Sequence, residues 1–256
     1  MQETVIERLL DSIRARQPAA LATVAEVQGA SPAQVGFKLL VQADGSSVGN
    51  VGGGALEERV RADAQGALSE GWSRLAHYRL QEDGPDAVGT ICGGEVTVFI
   101  EVYRPQPRLL IVGGGHIGQP LAKLARVVGY EVQVVDVRQE RGERQQFEPA
   151  AVGADTYVVL ITEDHVTDEA ALRQALDTPA AYVGMIGSQR KVKTVLEHLL
   201  AEGISAERLA RVRAPIGLDL GGREPAEIAL AILAEIECVR HGGSGRPRSA
   251  RARAEG

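Results

Sequence analysis

Cysteine is almost missing from this 256-residue chain: Cys92 and Cys238 are its only two. Two thiols are too few for a disulfide framework and their separation fits no zinc knuckle, so a reducing, cytoplasmic setting is expected. There is no excess of basic residues either. The formal net charge is −6, which argues against nucleic acid or an anionic membrane surface as the principal partner. Long apolar runs are lacking as well, and the stretch 228–234 is far too short to span a bilayer. No secretory signal is expected at the N-terminus. Its Val5, Ile6, Leu9, Leu10 and Ile13 recur at helical spacing among charged residues, the pattern of an amphipathic helix. No repeat of fixed period occurs. What remains is ordinary globular material, 44% hydrophobic and 24% charged, enough to pack one large or two modest domains.

The most informative stretch starts as an apolar run, 109–112, and ends in Gly113-x-Gly115-x-x-Gly118. A helical pattern follows (Leu121, Leu124, Ala125, Val128), then a second apolar run over 132–137 that carries Asp136. Strand, glycine turn, helix, strand and acid in this order form the layout of a dinucleotide fingerprint. Each part has a physical reason. Gly113 permits the tight turn, Gly115 lets the backbone approach a pyrophosphate, and Gly118 lets the helix pack close to the strand. The helix start offers N–H groups to an anion, and Asp136 is placed to accept from a ribose hydroxyl. Further on, strand patterns at 157–162 and 181–187 alternate with helical ones, as a parallel sheet with crossover helices requires. The turns after them, 162–165 and 184–188, face the same crevice as the fingerprint. Ser188 is expected to cap a helix through Val192, Val195 and Leu199, and Pro225 to open the last one.

The first hundred residues read differently. Strand patterns over 20–27, 37–42, 74–80 and 96–102 are separated by turn chemistry, with Asp44-Gly45 a hairpin signal. Two glycine clusters stand out. Gly49-Asn50-Val51-Gly52-Gly53-Gly54 runs into a helix of Leu56, Val60, Ala64 and Leu68, and Gly89-Thr90-Ile91-Cys92-Gly93-Gly94 precedes the last strand. Arg104-Pro105-Gln106-Pro107 is a stiff, short linker. The fold class is therefore α/β: a small N-terminal α+β domain over 1–103, the linker 104–107, and a Rossmann-type parallel-sheet domain over 108–240. The tail, 241–256, has almost nothing apolar and is expected to be disordered.

Five landmarks now stand in order. They are Gly49-x-x-Gly52-Gly53-Gly54-x-Leu56-Glu57, Cys92-Gly93-Gly94-Glu95, the fingerprint with Val135-Asp136-x-Arg138, Gly184-Met185-Ile186-Gly187-Ser188-x-Arg190-Lys191, and Pro215-Ile216-Gly217-Leu218-Asp219. This set resembles the XdhC/CoxI family, the accessory proteins of xanthine dehydrogenase and related molybdenum hydroxylases, and the similarity runs from about residue 20 to residue 236. The resemblance implies a small N-terminal domain with the Cys-Gly-Gly turn, followed by a Rossmann domain. It implies a task as well: to bind new molybdenum cofactor (molybdopterin) and protect it while a terminal oxo ligand is exchanged for sulfur. The cofactor is then passed to the apo-hydroxylase, with a cysteine desulfurase as sulfur source. Cys92 matches the family cysteine linked to cofactor binding, which makes it the expected contact to the metal. A homo-oligomer is expected. Two departures are visible. A basic residue often follows Gly-Ser-Ser-Pro in the family, whereas Gly29-Ala30-Ser31-Pro32 is followed by Ala33, so that phosphate contact is missing or falls to Lys38. Glu224 replaces the usual Thr before Pro225, a poorer helix cap.

The candidate binding residues are thus Cys92, Gly93 and Gly94 at one turn, Gly52, Gly53 and Gly54 at a second, and Gly113, Gly115, His116, Gly118, Asp136 and Arg138 at the fingerprint. Each has a plainer alternative. A free cysteine is more often a small buried hydrophobe, although neighbouring backbone N–H groups lower a thiol pKa and soft thiolate suits molybdenum. The triple glycine is either a close-packed bend or a cradle for the phosphate of a pterin cofactor. His116 occupies a variable position and is expected to point outward near the phosphates. Asp168 is read as the cap of a helix over 169–176 rather than as a metal ligand with His165. Arg190 and Lys191, in a first helical turn, indicate either an anionic ligand or a solvated face. Two rival functions stand beside the accessory role. A nicotinamide-dependent oxidoreductase would use Asp136 to favour NAD over NADP, a preference that Arg138 blurs, but the chain has no Tyr-x-x-x-Lys pair to donate a proton. The other rival is a non-catalytic nucleotide-sensing module. An accessory protein is preferred over an enzyme with its own turnover.

Overall fold

Period-two alternation of apolar residues dictates the N-terminal sheet. Its strands β1 (Ala19–Gln28), β2 (Lys38–Gln42), β3 (Ser47–Gly49), β4 (Arg74–Arg79) and β5 (Glu95–Tyr103) are antiparallel and run in the order β3-β2-β1-β5-β4. These elements come from a computed structural model that describes residues 2–81, 87–88, 93–138, 140–144, 146–162 and 165–249. The chain divides into two units, Met1–Pro105 and Gln106–Gly256.

In the first unit, Ala22 stands opposite Leu39 on one side and Ile100 on the other, which collects the buried side chains of three strands on one face. Helix α2 (Gly54–Glu70) lays Leu56, Val60, Ala64 and Ala67 on that face. Helix α1 (Gln2–Arg14) covers part of the other, setting Val5 and Leu9 against Leu21 and Leu40. A bulge between Val24 and Glu26 bends β1 shortly before the turn that follows Gln28. At the far end of α2, Gly71 adopts the left-handed conformation and donates its N–H to Ala67 O. The Arg104 guanidinium closes the same helix end on the carbonyls of Leu68 and Ser69.

The second unit holds a parallel sheet of β6 (Arg108–Val112), β7 (Glu131–Val135), β8 (Thr156–Leu160), β9 (Tyr182–Met185) and β10 (Val212–Arg213), in the order β10-β9-β8-β6-β7. Both faces are covered. Leu109, Ile111, Tyr157 and Val159 pack against Leu121 and Ala125 of α3 (Gly118–Val128) and Ile232 and Ile236 of α7 (Pro225–His241). Leu110, Val112, Val158 and Leu160 pack against Leu172 of α4 (His165–Leu176) and Val192, Val195 and Leu199 of α5 (Gln189–Ala201). Burial on both faces explains the continuous apolar runs of these strands. The helix α6 (Ala206–Leu209) and β10 leave no readable trace in the sequence because they are too short to show a period. No helix among the described residues is long and apolar enough to cross a membrane.

The strand order places the start of the sheet, β6, between β7 and β8, so the winding reverses there and a crevice opens at the carboxyl ends of the strands. The β7–β8 connection, residues 136–155, carries only a 3-10 turn (Pro149–Ala151) among its described residues. It folds back along β7: Glu143 N–H donates to Val134 O at 2.8 Å and Asp136 N–H to Arg144 O at 2.9 Å.

Candidate functional site

At the reversal point lies a cavity of about 480 Å³. It is lined by Val112, the last residue of β6, by Gly113 after it, and by Val135 and Asp136 at the end of β7. Ile161 and Thr162 follow β8, and α4 adds Thr167, Ala170 and Gln174. The β7–β8 connection supplies Gln146 and Phe147.

The glycine turn is built from the protein's own backbone. Gly113 (φ +116°) donates its N–H to Val135 O at 2.8 Å. A Cβ on Gly118 would overlap Gly113 O, so α3 starts hard against the strand end. Gly114, a free position by the fingerprint, tolerates no side chain either, because Arg141 O fills the space. Gln119 Nε2 donates to that same Arg141 carbonyl at 2.8 Å. Gly115 lines the cavity, whereas His116 is exposed and does not.

Asp136 is 6% exposed. Its Oδ2 accepts from Gly114 N–H at 2.9 Å, and its Oδ1 accepts from Arg138 N–H at 3.0 Å and from Arg138 Nε at 3.3 Å. Burial alone would raise this carboxyl, but the N–H groups of Arg138 and Gly114 and the Arg138 guanidinium outweigh it and hold it below the usual carboxylate range. The acid at the end of β7 thereby anchors the glycine turn.

Three expectations need correction. Asp168 does not cap a helix that begins at 169, since α4 begins at His165. Fully buried, Asp168 accepts from Thr162 N–H (3.1 Å) and Thr162 O–H (2.7 Å) and takes an ion pair from Lys191 Nζ (2.6 Å). Lys191 therefore has a partner within the protein, and an anionic ligand is not needed to account for it. At α7 the weak cap expected of Glu224 is compensated by Glu227, whose carboxylate accepts from the N–H groups of Arg223 and Glu224 at 2.8 and 2.9 Å. Ser188 caps α5 as its sequence suggests, accepting from Lys191 N–H.

Cys92 and the neighbouring 89–91 of the N-terminal unit lie outside the described residues, as do 163–164 and 250–256 of the C-terminal one. The two glycines after Cys92 are described. Gly93 donates its N–H to Leu80 O at 2.6 Å, and Gly94 sits so close to the 29–33 turn that a Cβ on it would overlap Ala30 O. The other glycine cluster meets the same turn, with a Cβ on Gly52 falling 3.2 Å from Ala33 N. The segment 29–33 thus touches Gly94 at one end and Gly52 at the other. Around Gly53, Gly54 and Gly93 the space a side chain would occupy is open. Lys38, the alternative phosphate contact, directs its ammonium to Thr23 Oγ1 at 3.0 Å.

A doubly wound domain with an acid-anchored glycine turn, preceded in the chain by an antiparallel domain with two glycine turns, describes an α/β protein of Rossmann type with an added N-terminal module. The model of the XdhC Rossmann domain matches residues 109–236, and that of the XdhC and CoxI family matches residues 12–79. The chain belongs to the XdhC and CoxI family. It is 36% identical over 244 residues to the uncharacterized protein YqeB of Escherichia coli, which covers 89% of this chain and 44% of YqeB. It is 24% identical over 286 residues to the molybdenum cofactor insertion chaperone PaoD of Escherichia coli, covering 93% of this chain and 88% of PaoD. A probable xanthine dehydrogenase subunit of Bacillus subtilis is 26% identical over 154 residues, covering 54% of this chain and 44% of that protein. The chain therefore spans less than half the length of YqeB and of the Bacillus protein.

Proposed function

We propose that this chain binds molybdenum cofactor, supports its sulfuration and delivers it to the apo form of a xanthine dehydrogenase-type molybdenum hydroxylase. The observation that carries the reading is membership of the XdhC and CoxI family together with similarity along 88% of a molybdenum cofactor insertion chaperone. The N-terminal turns suit the task. Gly53 and Gly54 leave backbone open where a pterin phosphate needs N–H donors, and Cys92, next to Gly93 in the chain, brings the soft ligand that molybdenum favours. Phosphate is held by backbone amides of these turns and the metal by Cys92. A cysteine desulfurase is the sulfur source, and the chain works in the cytoplasm as a homo-oligomer.

The test is co-elution of purified protein with molybdenum cofactor, wild type beside Cys92→Ser. The expected result is retention by the wild type and a clear loss in the variant. Equal retention by both removes Cys92 from the site, and no retention by the wild type overturns the reading.

A further inference from the structure

One end of the N-terminal sheet gathers three of its connections. β1, β3 and β4 finish at that end and β2 and β5 begin there, so the chain leaves the sheet on the same side after Gln28, Gly49 and Arg79. In the order β3-β2-β1-β5-β4, the β1–β2 connection lies between the other two.

That central connection interlocks with both neighbours. At its start it wraps Gly94: a Cβ there would fall 2.3 Å from Ala30 O and 2.9 Å from Gln28 O, and a Cβ on Gly29 would fall 3.2 Å from Gly94 Cα. Backbone is fitted to backbone, with no room for a side chain between. On the other side Ala33 is 4% exposed, and a Cβ on Gly52 would fall 3.2 Å from Ala33 N and 3.3 Å from its Cβ. Between the two contacts Ser31 holds the segment in shape, its Oγ accepting from Ala33 N–H at 3.0 Å, and the ring of Pro32 fixes the backbone beside it. Further along, Gly36 N–H donates to Val24 O and Val24 N–H to Phe37 O, both at 2.9 Å, which ties the connection back to β1. Residues 29–33 thus form a short strut with Gly94 seated at one end and Gly52 at the other.

The glycines of the two outer turns divide accordingly. Gly52 and Gly94 are packed on the strut, whereas their neighbours Gly53, Gly54 and Gly93 face open space where a side chain would be. A binding site needs its contacting groups held to within about 0.5 Å by residues that do not touch the ligand themselves. We infer that the strut makes the two turns one site: Ser31, Gly52 and Gly94 are positioning residues that set the open glycines around a single cofactor molecule. The inference rests on the cofactor-custody reading and adds to it which residues hold the site in shape.

Two measurements on the full chain test it. The first is the number of molybdenum cofactor molecules bound per chain at saturation. A single site gives one equivalent, whose affinity falls with Gly53→Ala and with Cys92→Ser alike; separate turns give up to two, each variant removing its own. The second addresses the strut. Ser31→Ala, at a half-buried position, removes the acceptor for Ala33 N–H and should weaken cofactor binding about tenfold, the scale of a small misplacement of contacting groups, with little change in melting temperature. Ser31→Thr keeps the hydroxyl and should bind like wild type, a rescue that a merely structural role would show in the melting temperature and not in affinity. Two equivalents per chain, or Ser31→Ala binding as tightly as wild type, would overturn the strut and leave cofactor custody standing. No binding by wild type would overturn both.

Discussion

At residue 114 glycine is required because the protein's own backbone fills the space a side chain would take, whereas at residue 53 that space is open. The C-terminal turn is a packed joint: Arg141 O sits over Gly114 and the Asp136 carboxylate grips its N–H. The N-terminal turn is a bare bend, with Gly53 at φ +72° and nothing within contact distance of the missing side chain. One residue type therefore serves two purposes. In the first case glycine lets the chain close on itself, and in the second it leaves backbone exposed for something else to approach. Gly94 shows that the division is not simply between domains, since it packs against Ala30 as tightly as Gly118 packs against Gly113.

The sharpest way to break this comparison is Gly114→Ala. Overlap with Arg141 O forces the connection away from the turn and should cost about 3 kcal/mol, the upper range for overpacking a tight site. The urea midpoint reads the loss directly, and an unchanged midpoint would show the joint to be soft. A smaller effect is expected from acid. A carboxyl held low in the folded protein contributes stability at pH above its unfolded value, near 3.8, and that contribution is lost as pH falls through the lower folded value. Below pH 3.8 the midpoint should drop with a slope that Asp136→Asn flattens, and equal slopes would deny Asp136 its anchoring role. Gly53→Ala should cost roughly 1–3 kcal/mol, since φ +72° with ψ −179° lies in a region essentially reserved for glycine, while reducing cofactor retention by more than that loss explains. Unaltered retention would make the bend a mere turn.

Much of this architecture is legible in the sequence. Gly113, Gly118 and Asp136 are readable because their reasons are local: a turn, a helix start and a strand end in fixed order. The strands of both domains are readable because burial on one face leaves an alternating trace and burial on two leaves a continuous apolar run. Gly114 is not readable, since its constraint comes from Arg141, which reaches it only through the returning β7–β8 connection. Phe147 and Gln174 escape sequence reasoning on similar grounds. They reach the cavity from a connection without a helix and from the second half of α4, and neither place carries a motif. Asp168 misleads because a buried acid bonded to Thr162 and Lys191 has the same sequence signature as a helix cap. The five-landmark order, by contrast, points to the family that the comparisons show.

The returning connection has one more consequence. By bonding to Val134 O and Asp136 N–H, residues 143–144 occupy backbone groups at the carboxyl end of β7 with which a terminal strand would otherwise recruit a neighbour. The sheet is sealed at that end of the margin. Strand-to-strand addition along the whole of β7 would first require that flap to peel away.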